Sequence, residues 1–416
     1  MRTWGSGRRY RSRLLTYFMA FCTVFITITM VTYPKETFDS AIMGLNLWWN
    51  VVFPALLPFF ILSEILMGIG VVHFIGVLLE PLMRPLFNVP GVGAFAMSMG
   101  LASGYPMDAV ITCRFRKNQL CTAVEAERLL SFTNTADPLF MFGAVAVGMF
   151  GMPELGVTIA LAHYISSFIV GIIFRFHGRS RDTFSRDHPV ATGNIIIRAF
   201  RALYAAHKED KRTTGQLLGD AVKSSMNTIL LIGGFIIVFS VFIRIMTIVG
   251  ITTLLNGMFA SLLSLINYNT NLAPALVSGL FEIDLGTLAV SQAAAPLIEK
   301  VAIASAIIAW SGLSVHGQVA SIVIESGIRM TPYIVGRLLH AILAAFMTIL
   351  LLNSGQSVTQ LLVIPVSLSM SQSNSLSFWL LRLEQTTYQI GILLSLLIVI
   401  SITIHLLQGI YRYAKR

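Results

Sequence analysis

Leu14 to Tyr33 is an apolar run of twenty residues, preceded by arginines and closed by Pro34-Lys35, and runs of this kind recur along the chain. About 20 apolar residues are what a helix needs to cross the hydrocarbon of a bilayer. In that layer every backbone N–H and C=O must find its partner inside the protein, which leaves helices as the natural spanning element. Of the 416 residues 55% are hydrophobic and only 12% charged, against about 25% charged in soluble proteins. So little polar surface cannot cover a soluble exterior, which excludes a soluble enzyme or a nucleic-acid-binding domain. The net charge of +10 reads as basic loops on the cytoplasmic face of a polytopic protein. Cys22, Cys113 and Cys121 are odd in number and have no CxxC spacing, so they indicate neither a disulfide framework nor a metal site.

The expected spans are Leu14–Tyr33, Leu45–Gly70, Leu129–Phe150, Leu155–Phe174, Ser225–Val249, Val301–Ile324, Tyr333–Leu352 and Ile390–Ile410. Arg2, Arg8, Arg9, Arg11 and Arg13 precede the first and put the N-terminus in the cytoplasm. Val72–Asn88 is interrupted by Glu80, Pro81, Arg84 and Pro85 and reads as an interfacial helix. Arg114–Arg128 reads as charged and amphipathic. Residues 175–223 hold ten Lys/Arg and five Asp/Glu and read as cytoplasmic, as does the tail with Arg412, Lys415 and Arg416. An even number of crossings must then separate each pair of these segments. Residues 91–113 and 272–296 therefore enter and leave on one side, unless both are kinked spans.

The halves match at a shift of 179 residues: Asn88 falls on Asn267, Gly100-Leu101 on Gly279-Leu280 and Pro153 on Pro332. Parity puts the two turned segments on opposite faces, with positions 180 and 360 on opposite sides as well. The expected fold is an all-α polytopic membrane protein: an inverted repeat of about eight spans with two re-entrant hairpins. Such repeats, with discontinuous helices meeting near the midplane, are a transporter architecture. The expected division is a basic segment and first span over 1–44, a first repeat over 45–175 and a basic linker over 176–223. A second repeat over 224–352 follows, then an external loop, last span and basic tail over 353–416.

Gly100-Leu-Ala-Ser-Gly-Tyr-Pro-Met-Asp108 permits a tight reversal. A helix starting after Pro106 would offer N–H groups to an anion; the alternative is a packed glycine-rich crossing. Because the sequence is G-x-x-S-G rather than G-x-S-x-G, a nucleophile elbow is excluded. In Phe132-Thr-Asn-Thr-Ala-Asp-Pro138, proline frees a carbonyl one turn back and Thr133 and Asn134 offer polar groups, either to a solute or to a packing seam. Asp137 reads as nearer the outer surface. The second half supplies Glu282 and, in Trp310-Ser-Gly-Leu-Ser-Val-His-Gly-Gln318, Ser314, His316 and Gln318. Ionisable groups at membrane depth are costly and so are candidates for function. Glu282 is expected to orient His316 or to carry a coupled proton, the alternative being that each pairs structurally, with Arg244 or with the other. No HExxH is present, so a zinc protease has no ligand set.

Ser103-Gly-Tyr-Pro-Met107, Glu125-Ala-Glu-Arg-Leu-Leu-Ser-Phe-Thr-Asn134 and Pro138-Leu-Phe140 resemble the nucleoside-recognition, or Gate, domain. Gly279-Leu-Phe-Glu-Ile283 and Gly312-Leu-Ser-Val-His316 with Gln318 resemble a second copy. Two Gate copies, a basic start and a final hydrophobic segment are similar to the YlbJ (SpoVV) family of sporulation integral membrane proteins. Asp108 and Thr135-Ala136-Asp137 stand where that family usually has small residues. The resemblance implies a transporter, not an enzyme, that moves dipicolinic acid from the mother cell across the outer forespore membrane. Its fold would be similar to that of concentrative nucleoside transporters. It implies a substrate site at Ser103, Gly104, Tyr105, Thr133, Asn134, Glu282, Ser314, His316 and Gln318, with no cofactor and no metal. Implied partners are a small anionic solute and the lipid bilayer, with no nucleic acid; a homo-oligomer is compatible with the sequence. A nucleoside or other metabolite carrier, and a non-transporting scaffold for spore assembly, are the alternatives.

Overall fold

The computed structural model describes residues 6–178 and 194–353. Helix α1 (Ser6–Thr32) is followed by α2 (Pro34–Leu47), a π-helical turn at Trp48–Val52 and α3 (Phe53–Ile69), which run on without a break. Next come α4 (Val71–Leu82) with a π-helical turn at Met83–Phe87, then α5 (Gly93–Ser103), α6 (Met107–Lys117) and α7 (Ala123–Thr133). A π-helical segment at Phe140–Met149, α8 (Leu155–Phe174) and α9 (Ile195–Glu209) complete the first half. The second half is α10 (Thr214–Ile248), α11 (Ile251–Leu265), α12 (Ala273–Phe281), α13 (Ile283–Gln292), α14 (Leu297–Trp310), α15 (Gly312–Val323) and α16 (Met330–Asn353).

From α3 onward the two halves repeat one order of elements: a long helix, a short one, a turned pair, a helix that breaks, and a closing helix. The backbone repeats with it. Gly70 and Gly250 open the short helices at φ +93° and +83°, and Asn88 and Asn267 close the segments that follow at φ 53° and 56°. Asparagine tolerates this left-handed conformation better than most side chains.

Each turned pair closes through small residues. In α12–α13 a Cβ at Gly286 would lie 2.6 Å from the backbone nitrogen of Gly279. In α5–α6 a Cβ at Gly100 would lie 3.5 Å from Asp108 Cβ. Around these pairs α2 and α3 pack on α10, and α16 packs on both α8 and α14. Gly44 lets α2 approach α10, where Ser240 Oγ donates to Ser40 O at 2.6 Å and Trp48 Nε1 to Ile229 O at 2.9 Å.

Among the described residues five helices are long and apolar enough to cross a membrane: Pro34–Ile69, Leu155–Phe174, Thr214–Ile248, Leu297–Val323 and Met330–Leu352. Their outer faces carry large apolar side chains; Leu231, Val238, Val335 and Phe346 are all more than half exposed. Contiguous apolar exposure on this scale belongs against lipid.

Three expectations change. The span Leu129–Phe150 is not continuous, because its helix stops at Thr133 and only resumes past Asp137. Helix α10 begins at Thr214, inside the stretch read as a linker. The segment Arg114–Arg128 is not a solvated amphipathic surface at its far end, where Glu125, Glu127 and Arg128 are buried. The span Ile390–Ile410, the basic tail and positions 180 and 360 lie outside the described residues.

Candidate functional site: two broken helices and the turns packed on them

The first break is set by Pro138, which has no N–H to continue the ladder and clashes one turn back. Residues 134–137 are non-helical. Asp137 Oδ1 then accepts from Leu139 N at 2.9 Å and Phe140 N at 2.8 Å, capping the helix that resumes. The freed backbone is met from α8: Ala136 N donates to His163 Nε2 at 3.1 Å, Tyr164 Oη to Ala136 O at 3.0 Å, and Ser167 Oγ to Phe132 O at 2.6 Å. The unwound stretch is therefore a satisfied, built conformation.

The turn between α5 and α6 sits on this break. Gly104 adopts φ +63°, and a Cβ there would lie 2.9 Å from Asp137 Oδ2. Glycine thus supplies both the conformation and the clearance. The Tyr105-Pro106 peptide is cis, and Tyr105 Oη donates to Ile308 O at 2.7 Å, reaching into the second half. Ser103 Oγ lies 3.8 Å from Met67 Sδ.

The second half builds the same contact. Helix α14 ends at Trp310, and Ser311 and Gly312 take φ 69° and 71° before α15. A Cβ at Gly312 would lie 3.0 Å from Phe281 O and 3.1 Å from Glu282 Cα, so the α12–α13 turn rests on the second break. Trp310 Nε1 donates to Leu280 O at 3.1 Å and pins it. Glu282 lies at the turn, where its Oε2 accepts from Leu285 N at 2.8 Å. The His316 ring meets Trp310 edge-on at 4.3 Å and Tyr333 at 5.2 Å. Ser314 is buried nearby along α15 and Gln318 is half-buried further on.

Arg337 of α16 joins the two breaks. It is wholly buried; its Nη1 donates to Asn134 O and reaches Ala309 O at 3.5 Å, and its Nη2 donates to Ser131 O at 2.6 Å. These are carbonyls at the C-terminal ends of α7 and α14, where helices leave acceptors unsatisfied and concentrate partial negative charge. A second pair, His163 and His340, packs with ring centroids 4.5 Å apart and planes inclined by 45°, and His340 Nε2 is hydrogen-bonded to His163 O at 2.8 Å. The sequence reading passed over Arg337, His163 and His340. The rule that singled out Glu282 and His316, an ionisable group inside an apolar span, finds them too.

The structure gives several of the expected side chains partners within the chain. Thr133 Oγ1 and Asn134 Nδ2 each lie 3.2 Å from an oxygen of Asp108, which is fully buried. The donors assigned to a solute are thus engaged by the chain's own acid. The α6 N-terminus, expected to receive an anion, already carries Asp108 in its first turn. Asp137 is 6% exposed and lies against the turn between α5 and α6. No hydrogen bond joins Glu282 to His316, whose Nε2 has no partner. Arg244 is exposed on α10 and forms no ion pair with Glu282. Thr133, Thr135, Tyr164 and Ser167, with Met97, Leu101, Phe132 and Phe168, line a small crevice with room for about one water molecule.

Outside the spans, charged residues of the Glu125–Asn134 motif do structural work. Glu125 accepts from Arg84 at 2.6 Å and completes a capping box with Thr122. Glu127 accepts from Arg329 at 2.6 and 2.7 Å and lies 2.8 Å from His177 Nε2. Burial alone would raise the Glu127 carboxyl, but hydrogen bonds from Arg329 and His177 hold it below its ordinary value. Among the described residues no group of three His, Cys, Asp or Glu side chains is placed to hold a metal ion.

Residues 49–178 match the family model described as nucleoside recognition, Gate, which covers one Gate unit where the motifs implied two. Over 340 residues the chain is 46% identical to the sporulation integral membrane protein YlbJ of Bacillus subtilis (strain 168), covering 82% of this chain and 83% of that protein. The chain belongs to the YlbJ family. As a member of it, this is an integral membrane protein. Among solved structures it is loosely similar to CNTnw. A variant in its intermediate 3 state has a TM-score of 0.46 at 13% identity, covering 83% of this chain and 89% of that one. CNTnw in an inward-facing, substrate-bound state has a TM-score of 0.43 at 13% identity, over 83% and 87%.

Proposed function

We propose that this YlbJ-family protein is a transporter, not an enzyme, and that it carries a small polar solute past the two helix breaks. The observation that supports this most is the buried polar layer in which Arg337 touches carbonyls of both broken helices. Non-helical backbone at membrane depth is tolerated where it lines a cavity or is met by protein groups, and discontinuous helices are where transporters bind their cargo. In this reading α5–α6 and α12–α13 are re-entrant hairpins entering from opposite faces of an inverted repeat. Ser103, Gly104, Tyr105, Glu282, Ser314, His316 and Gln318 border the path, while Thr133 and Asn134 shape it through Asp108.

The cargo we favour is dipicolinate, moved from the mother cell across the outer forespore membrane. The family's link to sporulation and a buried cation at the centre of the layer support it. A nucleoside is the second reading, favoured by the match of residues 49–178 to a nucleoside-recognition model. Proteoliposomes containing only this protein test both, with labelled dipicolinate and labelled uridine as cargoes. Protein-dependent uptake of dipicolinate supports the first and of uridine the second; uptake of neither leaves the scaffold reading.

A further inference from the structure

Arg337 is a full positive charge with no carboxylate bonded to it. The acid nearest in electrostatic effect is Asp108, and it directs its two oxygens to Thr133 and Asn134. The carbonyls of α7 and α14 occupy Nη1 and Nη2, but Nε is buried without a partner. Guanidinium carries five donors in a planar fork that matches a carboxylate, and an orphan donor at this depth is expensive.

Groups beside it are orphaned too. Tyr333, 1% exposed, lies with its ring 5.9 Å from Arg337 Cζ and its hydroxyl beside Ser311. His316 packs on Tyr333 and leaves Nε2 unpaired, and Asn134 leaves Oδ1 unpaired beside the carbonyl that Arg337 holds. Native interiors keep few such groups. Three such atoms, Arg337 Nε, His316 Nε2 and Asn134 Oδ1, on side chains linked by contact through Tyr333 and Arg337, point to a polar ligand that the bare chain does not supply.

We propose that Arg337 is the specificity-determining residue of the transport site, receiving a carboxylate of the solute on its free Nε–H edge with Tyr333 and His316 beside it. The proposal rests on the transporter reading and sharpens it. Arg337 holds the broken helices together through Nη1 and Nη2 and selects for negative charge through Nε. A solute without a carboxylate leaves that edge unsatisfied, so it is accepted less well.

The test compares dipicolinate, its uncharged diamide and uridine on the same purified protein in proteoliposomes. The selectivity ratio, unlike a rate, does not depend on how much protein is inserted. Wild type should favour dipicolinate over the diamide by about 10- to 100-fold, the worth of one hydrogen bond to a charged group. Arg337→Gln should remove most of that preference, bringing the dipicolinate-to-diamide ratio close to one whatever the absolute rates. Equal loss of all solutes in Arg337→Gln, or no preference for the carboxylate in wild type, overturns the proposal and leaves Arg337 a purely structural clamp. If Arg337→Gln does not fold, Arg337→Lys is the second variant. It keeps the charge without the fork, and an unchanged dipicolinate-to-diamide ratio there also overturns the proposal. Absence of uptake of any solute by wild type instead defeats the transporter reading itself.

Discussion

Replacing Gly286 by alanine adds one methyl group where the α12–α13 pair has no room for it. Built on the existing backbone, the new Cβ falls 2.6 Å from Gly279 N and 3.1 Å from Ile307 Cγ2, and its clash with Gly279 is with backbone. Ordinary contact begins near 3.4 Å, so the two helices must part by about 1 Å, a gap that forfeits a quarter to a half of the dispersion energy along the seam. Overpacking costs about 1–3 kcal/mol, and the backbone obstacle at Gly279 puts this case near the top of that range. Gly234 is the control: it lies inside α10 with nothing within 4 Å of its would-be Cβ. Alanine there gains helix propensity, up to ~1 kcal/mol. Thermal unfolding of both purified variants in one detergent, followed by loss of the monodisperse peak, reads the difference. Gly286→Ala should melt clearly below wild type and Gly234→Ala at or above it. Equal midpoints for the two would refute the close packing of the pair, and with it the view that this turn is a rigid unit.

Gly104→Leu places a branched side chain at φ +63° and its Cβ 2.9 Å from Asp137 Oδ2; strain of this kind costs about 1–3 kcal/mol. Protein should still reach the membrane while uptake falls to background, and normal uptake by a stably inserted variant would argue for an ordinary helix at this position. Glu127→Gln tests the pair with Arg329. The carboxyl is held below its ordinary 4.5, so its contribution is full above that pH and fades as pH falls through the lower folded-state value. With Arg329 half exposed, solvent screening keeps the loss at pH 7 small, and wild type and variant should converge in acid when unfolding is followed from pH 7 to 3.

Much of the candidate site was legible because its signals are local. Pro138 unwinds the chain just before it, Gly104 and Pro106 turn α5 into α6, and Asn88 and Asn267 mark equivalent left-handed positions. Each outcome depends on steric rules spanning a few residues, so the sequence alone located both turned segments and the first break. Apolar run length likewise placed five of the eight expected spans on helices long enough to cross, since the thickness of hydrocarbon is the same for every chain.

What the sequence could not decide was which polar groups would find one another. Asp108 takes the donors of Thr133 and Asn134, which lie 25 and 26 residues away, and Glu127 takes Arg329 at a separation of 202. Arg337 reaches Asn134 across 203 residues and Ala309 across 28. Composition says that a buried charge must be compensated, because desolvation is costly everywhere in the interior, but it does not name the partner. Only the packing of α16 between α8 and α14 brings the two broken ends to one guanidinium, and only that packing leaves its Nε without a bond.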